Sequence, residues 1–375
     1  MKLLILIDSL GAGGAEKSTS VLCDYLFEQS IFFEIVCINQ AAEGVQDEML
    51  AKGYPIYFLE KGNFFIQSKQ ISEVIKNGNY DIVHSILFRS NLRTRFAKLY
   101  TSFFHIESLV NTTYSKERAA DIKVNKMALL FYKALDRFSA KWGVDHFHSI
   151  TKTVKDHYVN EVGLDPNKIT VVPRGRRPIL SDYIEKPTHN SSVIQLINVG
   201  RHEFQKGQIH LLKAVNILKK EGYNFHLTIL GRNGSSTPEL TNYITQNNLK
   251  DVVTLGGFTK NVSRYLLNSD LFIFPSLYEG LGGALIEAQA AALPIACNNI
   301  PVLQEVVQEN INGRFFDVHE TSSIVSSIRY FLDNPEKLEE YGKQSLLNYA
   351  AKFDEKTNNE ALVNLYKTQV NISQH

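Results

Sequence analysis

Short runs rich in β-branched and aromatic residues alternate with longer stretches of helical period along the whole chain. That is how parallel βαβ units read in sequence. In the first half the pattern predicts strands at Leu3–Ile7, Phe33–Ile38, Ile56–Leu59, Ile82–Ser85, Phe103–Glu107, His146–Ile150 and Ile169–Val172. It restarts at Val193–Val199 and continues at Phe225–Leu230, Val252–Leu255, Leu271–Phe274, Pro294–Cys297 and Arg314–Phe316. Between the two series, Pro173 to Ser192 carries Pro173, Pro178 and Pro187 and the polar run His189-Asn190-Ser191-Ser192, and reads as a linker. The fold class is α/β, as two Rossmann-like domains facing across a cleft. The first is expected over 1–178 and the second over 190–353, with a final helix at about 354–375 packing back on the first. Ligands in such a pair are expected at the carboxyl ends of the strands.

The length agrees with two domains, since 375 residues exceed the roughly 250 to 300 at which single cores stop growing. Lys and Arg total 40 against 39 Asp and Glu, so there is no global basic field and no nucleic-acid partner is expected. Cys23, Cys37 and Cys297 are too few and scattered for a disulfide framework or a zinc site, which fits a reducing compartment. The opening run Leu3–Ile7 meets Asp8 too soon for a signal peptide, and no apolar stretch nears the ~20 residues that span a bilayer. A cytoplasmic protein is expected.

The first strand runs into Ser9-Leu10-Gly11-Ala12-Gly13-Gly14-Ala15-Glu16-Lys17-Ser18 and then an amphipathic helix. Counted from Gly11, Glu16 stands where a dinucleotide fingerprint needs its third glycine and where a P-loop needs its second. A carboxylate there repels phosphates. What remains is a bare turn whose backbone N–H groups can approach an anion at a helix N-terminus, or a tight strand-to-helix turn that binds nothing.

The segment Phe274-Pro-Ser-Leu-Tyr-Glu279-Gly-Leu-Gly-Gly-Ala-Leu-Ile-Glu287 is the richest in chemistry, because it lies at the end of a predicted strand. Gly280, Gly282 and Gly283 keep the turn bare, and Ala284–Ala292 predicts a helix with Glu287 on its second turn. Small neighbours at Ala284, Ala288 and Ala291 leave that carboxylate room for paired ribose hydroxyls. Upstream, Arg201 follows one predicted strand and Lys206-Gly207 opens the next helix. Two cations beside a cleft suit a diphosphate leaving group; either could also be a solvated surface charge.

Gly200-Arg201 with Lys206-Gly207, and Pro275-Ser276 with Glu279, seven residues and Glu287, resemble glycosyltransferase family 4, retaining enzymes of the GT-B fold. Gly313 matches the family's Asn-Gly turn, and Gly13-Gly14-Ala15-Glu16 and Asp81-Ile-Val-His84-Ser agree in the first half. The resemblance implies that Glu287 binds the donor ribose and that Arg201 and Lys206 bind the diphosphate. Glu279 would contact the transferred sugar, helped by backbone N–H groups at Gly282 and Gly283, with Gly13 and Gly14 also on the donor. His84 would lie near the reacting centre or acceptor. The catalytic set is then Arg201, Lys206, Glu279 and His84. Two positions depart from the family: Asn111 replaces a histidine, and Pro173-Arg174-Gly175-Arg176 replaces Pro-Asn-Gly. Asn111 and Arg174 are assigned to the acceptor side.

His146 and His148 share one face of a predicted strand but have no third ligand nearby, and the chain holds no Asp-x-Asp. Arg201 and Lys206 already supply the charge a divalent ion would bring, so no metal and no cofactor are expected. The expected substrates are a nucleotide-sugar donor, UDP- or GDP-linked, and a saccharide or lipid-linked acceptor. A sugar-nucleotide epimerase of similar build and a non-catalytic sugar-nucleotide-binding protein remain alternatives. Finally, Arg89–Lys141 holds eleven basic residues against four acidic ones, a net +7 interleaved with aromatics. Two readings stay open for this face: an ordinary amphipathic surface whose aromatics are core and whose charges are a solvated rim, or a surface that docks on the anionic inner side of the cytoplasmic membrane.

Overall fold

A computed structural model describes residues 1–179 and 193–373. Pro187 and the polar run 189–192 of the expected linker lie outside the described residues. The chain divides into two compact units. The first comprises Met1–Ser115, Ile122–Gly175 and the chain from Glu355 onward; the second comprises Lys116–Asp121 and Arg176–Asp354.

The first unit is a seven-stranded parallel sheet: β1 (Lys2–Ile7), β2 (Phe32–Cys37), β3 (Ile56–Phe58), β4 (Ile82–Ile86), β5 (His105–Leu109), β6 (His146–Ser149) and β7 (Ile169–Val171), in the order β3-β2-β1-β4-β5-β6-β7. Both faces of β1 are buried: Leu3, Ile5 and Ile7 enter one core cluster and Leu4 and Leu6 another. That two-sided burial is why β1 reads as an unbroken apolar run. The last helix, Glu355–Ser373, lays Leu362, Val363, Leu365 and Tyr366 into the first of these clusters.

The second unit is a six-stranded parallel sheet: β8 (Ile194–Val199), β9 (Phe225–Leu230), β10 (Val253–Gly257), β11 (Leu271–Phe274), β12 (Ile295–Asn298) and β13 (Gly313–Phe316), in the order β10-β9-β8-β11-β12-β13. In both sheets the chain reverses its direction of winding beside the first strand. The switch points therefore lie between β1 and β4 and between β8 and β11, where open α/β sheets bind ligands.

Several strands shift by a residue or two from the sequence pattern, β10 running on to Gly257, and two differences have a local cause. β5 begins two residues later than predicted and runs to Leu109, because Glu107 and Ser108 inside it are buried polar residues that hide its second half. The alanine-rich helix spans Gly283–Ala290 rather than Ala284–Ala292. Ala292 takes φ +53°, and Leu293 N–H bonds back to the Ala288 carbonyl, which turns the chain into β12.

Candidate active site

In the second unit the loops after β8 and β11 meet at the switch point. Gly207 has φ +59°, and a Cβ there would stand 2.1 Å from the Pro275 carbonyl oxygen, so glycine lets the Phe204–Lys206 turn reach the end of β11. Gln205 fastens the two loops: its carbonyl accepts from Leu277 N–H at 2.8 Å, and its side chain donates to the Tyr278 carbonyl at 2.8 Å. Beneath them, Asn198 donates to Ile273 O and Asn298 to Ser276 O, while Gln208 donates to both Asn198 Oδ1 and Gly200 O. Sequence reasoning missed these amides. Their signal was a polar residue near the end of an otherwise apolar strand, as at Asn198 and Asn298.

On this frame Lys206 Nζ bonds Glu279 Oε1, with the two side chains only 16% and 10% exposed. The Lys206 ammonium also lies 5.2 Å from the Phe274 ring centroid. Arg201 is exposed and forms no ion pair among the described residues. Glu287 meets Arg176, whose Nε is 3.4 Å from Oε1. Arg176 is buried at 6% exposure; its N–H donates to Phe353 O, and its carbonyl accepts from Tyr349 Oη at 2.8 Å. Its guanidinium covers Gly283, where a Cβ would come within 2.2 Å of Arg176 Nη2. Arg201, Lys206, Glu279, Gly282, Gly283 and Glu287 are thus all carried by the β8 and β11 loops and the helix that follows, and Arg176 joins them.

The first unit treats its expected residues differently. Gly13 precedes the helix Gly14–Glu28, and the Glu16 carboxylate folds back over it, 2.4 Å from where a Gly13 Cβ would stand. The chain's own carboxylate thus lies against this helix N-terminus, and a donor contact at Gly13 or Gly14 has to form beside it. Asn111 Oδ1 accepts from Thr112 N–H. His84 is 1% exposed and has both ring nitrogens engaged, Nδ1 with Tyr366 Oη and Nε2 with Ser108 Oγ. Ser108 Oγ continues to His148 Nδ1, and His148 Nε2 reaches Val172 O. The terminal carbonyl fixes the protons of the whole chain: His148 carries its proton on Nε2, Ser108 donates to His148, His84 donates to Ser108, and Tyr366 donates to His84. Burial holds His84 well below the usual imidazole range, with His148 and Arg174 adding to it. Burial, then Arg174, lowers His148 to about 4. A cavity lined by His84, Ser108, His148, Arg174, Asn358 and Asn359 opens onto this chain. His84 and Arg174 therefore share a wall; Asn111 is not among the lining residues. No group of three metal-binding side chains occurs among the described residues.

Residues 181–346 match the family model described as Glycosyl transferases group 1, and residues 12–178 match Glycosyltransferase Family 4. An Escherichia coli protein, UDP-Gal:alpha-D-GlcNAc-diphosphoundecaprenol alpha-1,3-galactosyltransferase, is 26% identical over 68% of this chain and 67% of its own length. The Staphylococcus aureus capsular polysaccharide biosynthesis glycosyltransferase CapH is 29% identical over 82% and 84%. Among solved structures, Anabaena Alr3699/HepE in complex with UDP and glucose is similar with a TM-score of 0.82 at 15% identity, covering 98% of this chain and 100% of that one. A glycosyltransferase from Rickettsia africae is similar with a TM-score of 0.80 at 17% identity, covering 98% of each. At these identities the likeness to solved structures establishes the GT-B fold.

Proposed function

This chain belongs to glycosyltransferase family 4, and from that premise we propose that it moves a sugar from a UDP- or GDP-sugar to a saccharide or lipid-linked saccharide, with retention, in cell-surface polysaccharide assembly. The observation that carries the reading is the bonded Lys206–Glu279 pair at the switch point of the second unit. A departing diphosphate gains negative charge, and Lys206 with Arg201 offers fixed positive partners for it. Glu279 is held at the same place to meet hydroxyls of the transferred sugar. Glu287 is oriented by Arg176 toward a ribose, and the first turn of the Gly283 helix presents backbone N–H groups to phosphate oxygens. No side chain here is poised as a nucleophile, so rate comes from positioning and electrostatics, with the new bond forming on the face that the diphosphate leaves.

The acceptor belongs to the first unit in this reading, with Arg174 and the His84 chain at its polar cavity. His84 acts there by holding Ser108 and Tyr366 in one proton order. A diphospholipid-linked acceptor, of the kind in the Escherichia coli relative's name, would keep the enzyme at the inner face of the cytoplasmic membrane. No helix among the described residues is long and apolar enough to cross that membrane. Because Arg201 and Lys206 supply the needed charge, transfer is expected to proceed with a chelator present; loss of activity restored by Mg²⁺ or Mn²⁺ would overturn that part. A thermal-shift screen of UDP-, GDP- and ADP-sugars, followed by a transfer assay with the stabilising donor, tests the whole. Epimerised donor without transfer, or donor binding with neither reaction, would replace the reading.

A further inference from the structure

The helix Lys126–Gly143 is built inside out. Asn125 caps its start, accepting from Ala128 N–H at 3.1 Å. Its four buried residues are Asp136, Ser139, Ala140 and Gly143, while Met127, Leu130, Phe131 and Phe138 stand 78%, 63%, 64% and 68% exposed. In a water-facing helix the large apolar side chains point inward; here the buried positions are Asp136, Ser139 and the small Ala140 and Gly143, with Leu129, Leu135 and Trp142 only half-buried. What holds that face down is an ionic knot. Arg95, 2% exposed, donates to Glu107, to Asp136 Oδ1 and to Ser139 Oγ, and Tyr114 Oη donates to Asp136 Oδ2 at 2.7 Å. Close by, Gly143 packs flat on the stem of Arg95. Arg95, expected from sequence as one of the surface cations, is therefore interior.

Residues at 100° steps place Met127, Phe131, Ala134 and Phe138 within one narrow sector, flanked on one side by Lys126, Arg137 and Lys141. Just before the helix, Ile122 is fully exposed beside Lys123. From Ile122 to Lys141 the chain has five basic residues and one acidic residue, and that acid, Asp136, is buried in the knot. Lys133 is paired with Glu161 of a neighbouring helix, so the solvent face carries an apolar ridge and the positive charge of Lys126, Arg137 and Lys141, with no exposed carboxylate of its own. A second copy of this face would bring like charges together. An anionic lipid surface satisfies both parts, with headgroups for the cations and the acyl boundary for the ridge.

We propose that the exposed face of the Lys126–Gly143 helix lies in the surface of a membrane rich in anionic phospholipid, Phe131 and Phe138 below the headgroups and Lys126, Arg137 and Lys141 among them. The proposal deepens the lipid-linked-acceptor reading and rests on it for its purpose, since it would hold the first unit where such an acceptor arrives. The test does not depend on activity. The full chain, without substrate, is sedimented with vesicles of phosphatidylcholine alone or of phosphatidylcholine with phosphatidylglycerol, at low and high salt. Binding is expected only with phosphatidylglycerol and is expected to fall at least tenfold at high salt. Phe131→Ser with Phe138→Ser, and separately Lys126→Glu with Lys141→Glu, should each lose about tenfold or more while melting at the wild-type temperature. Absence of binding at low salt, or binding indifferent to both pairs of substitutions, overturns the proposal. So does self-association of the free protein that Phe131→Ser abolishes, which would make a second copy the occupant. Transfer to a water-soluble acceptor, unchanged in these variants, keeps failure of the docking distinct from failure of the enzymatic reading.

Discussion

Lys206→Met separates what the Lys206–Glu279 pair does for the fold from what it does for transfer. Methionine keeps the unbranched stem that packs over Gly200, whose missing Cβ would stand 3.2 Å from Lys206 Cγ and Cδ. The loss is therefore one charge. It strands a Glu279 carboxylate that is only 10% exposed. Removing one member of a buried pair costs about 3–5 kcal/mol; the residual exposure here brings the figure to roughly 2–3 kcal/mol. In a unit of this size each kcal/mol moves the melting temperature by about 2–4 °C, so a fall of ~4–12 °C is expected. Adding Glu279→Gln removes the stranded charge and should return stability to within about 1 kcal/mol of wild type, because replacing both partners is far cheaper than breaking the pair. Turnover behaves otherwise: losing a preorganised partner of the leaving diphosphate costs about 10²–10³ in kcat, and the double variant does not recover it. The assays are thermal melting and turnover at saturating donor. A double variant as unstable as the single one would show that the loss comes from the missing Lys206 link and not from a stranded carboxylate, and normal turnover with only a raised KM would remove Lys206 from the reacting charge.

Glu287→Ala should weaken nucleoside-diphosphate binding by about 1.5–3 kcal/mol, roughly ten- to a hundredfold, because the ribose loses a charged hydrogen-bond partner; titration calorimetry reads this directly, and unchanged affinity in a folded variant would reassign the residue. Arg176→Lys should preserve the protein's melting temperature better than Arg176→Ala yet still raise donor KM, since a point charge cannot both cover Gly283 and orient Glu287. Acid should unfold the first unit early. His148 is lowered from 6.5 to about 4 in the folded chain, and His84 and His105 are lowered in the same direction by burial. Their neutral forms cost nothing above pH 6.5, but as pH falls from there toward 4 the unfolded chain binds protons that the folded chain refuses, at up to about 1.4 kcal/mol per histidine per pH unit. A melting temperature equal at about pH 7 and about pH 4.5 would contradict that sign.

All thirteen strands were legible in the sequence: strands buried on both faces, such as β1 and β11, as uninterrupted apolar runs, and half-exposed ones, such as β3, β9 and β10, by their β-branched and aromatic residues. β5 slipped where Glu107 and Ser108 lie inside it. The second-unit site was legible because its glycines and glutamates sit on one short segment after a strand. What stayed hidden depends on partners distant in sequence. Tyr366 closes on His84 across 282 residues, and Arg95 draws Asp136 and Ser139 inward from 41 and 44 residues away. Periodicity reveals that the Lys126 helix has two faces. It cannot reveal which is inside when charge pairing, rather than apolar burial, holds the helix down.

The second-unit site also sets a competition. Each buried cation is met by a carboxylate of the same site, Lys206 by Glu279 and Arg176 by Glu287. The arrangement is required by burial: Arg176 lies against the first turn of the Gly283 helix, where the backbone already contributes partial positive charge, and an unbalanced guanidinium there would be strongly disfavoured. If the proposed donor site is right, an incoming diphosphate would be an exchange partner rather than a new neutraliser, and Glu279 would have to yield part of its hold on Lys206 as phosphate oxygens arrive. From this reading, Glu279→Gln should separate binding from transfer. With no carboxylate competing for Lys206, UDP alone should bind more tightly, by about the worth of a partly screened ion pair, ~1 kcal/mol or roughly fivefold. Transfer should still fall, because the amide cannot replace the carboxylate toward the sugar hydroxyls. Calorimetric titration of UDP into both proteins, with turnover measured alongside, decides the matter: weaker UDP binding in Glu279→Gln would mean that Glu279 orders Lys206 for the phosphates instead of competing for it.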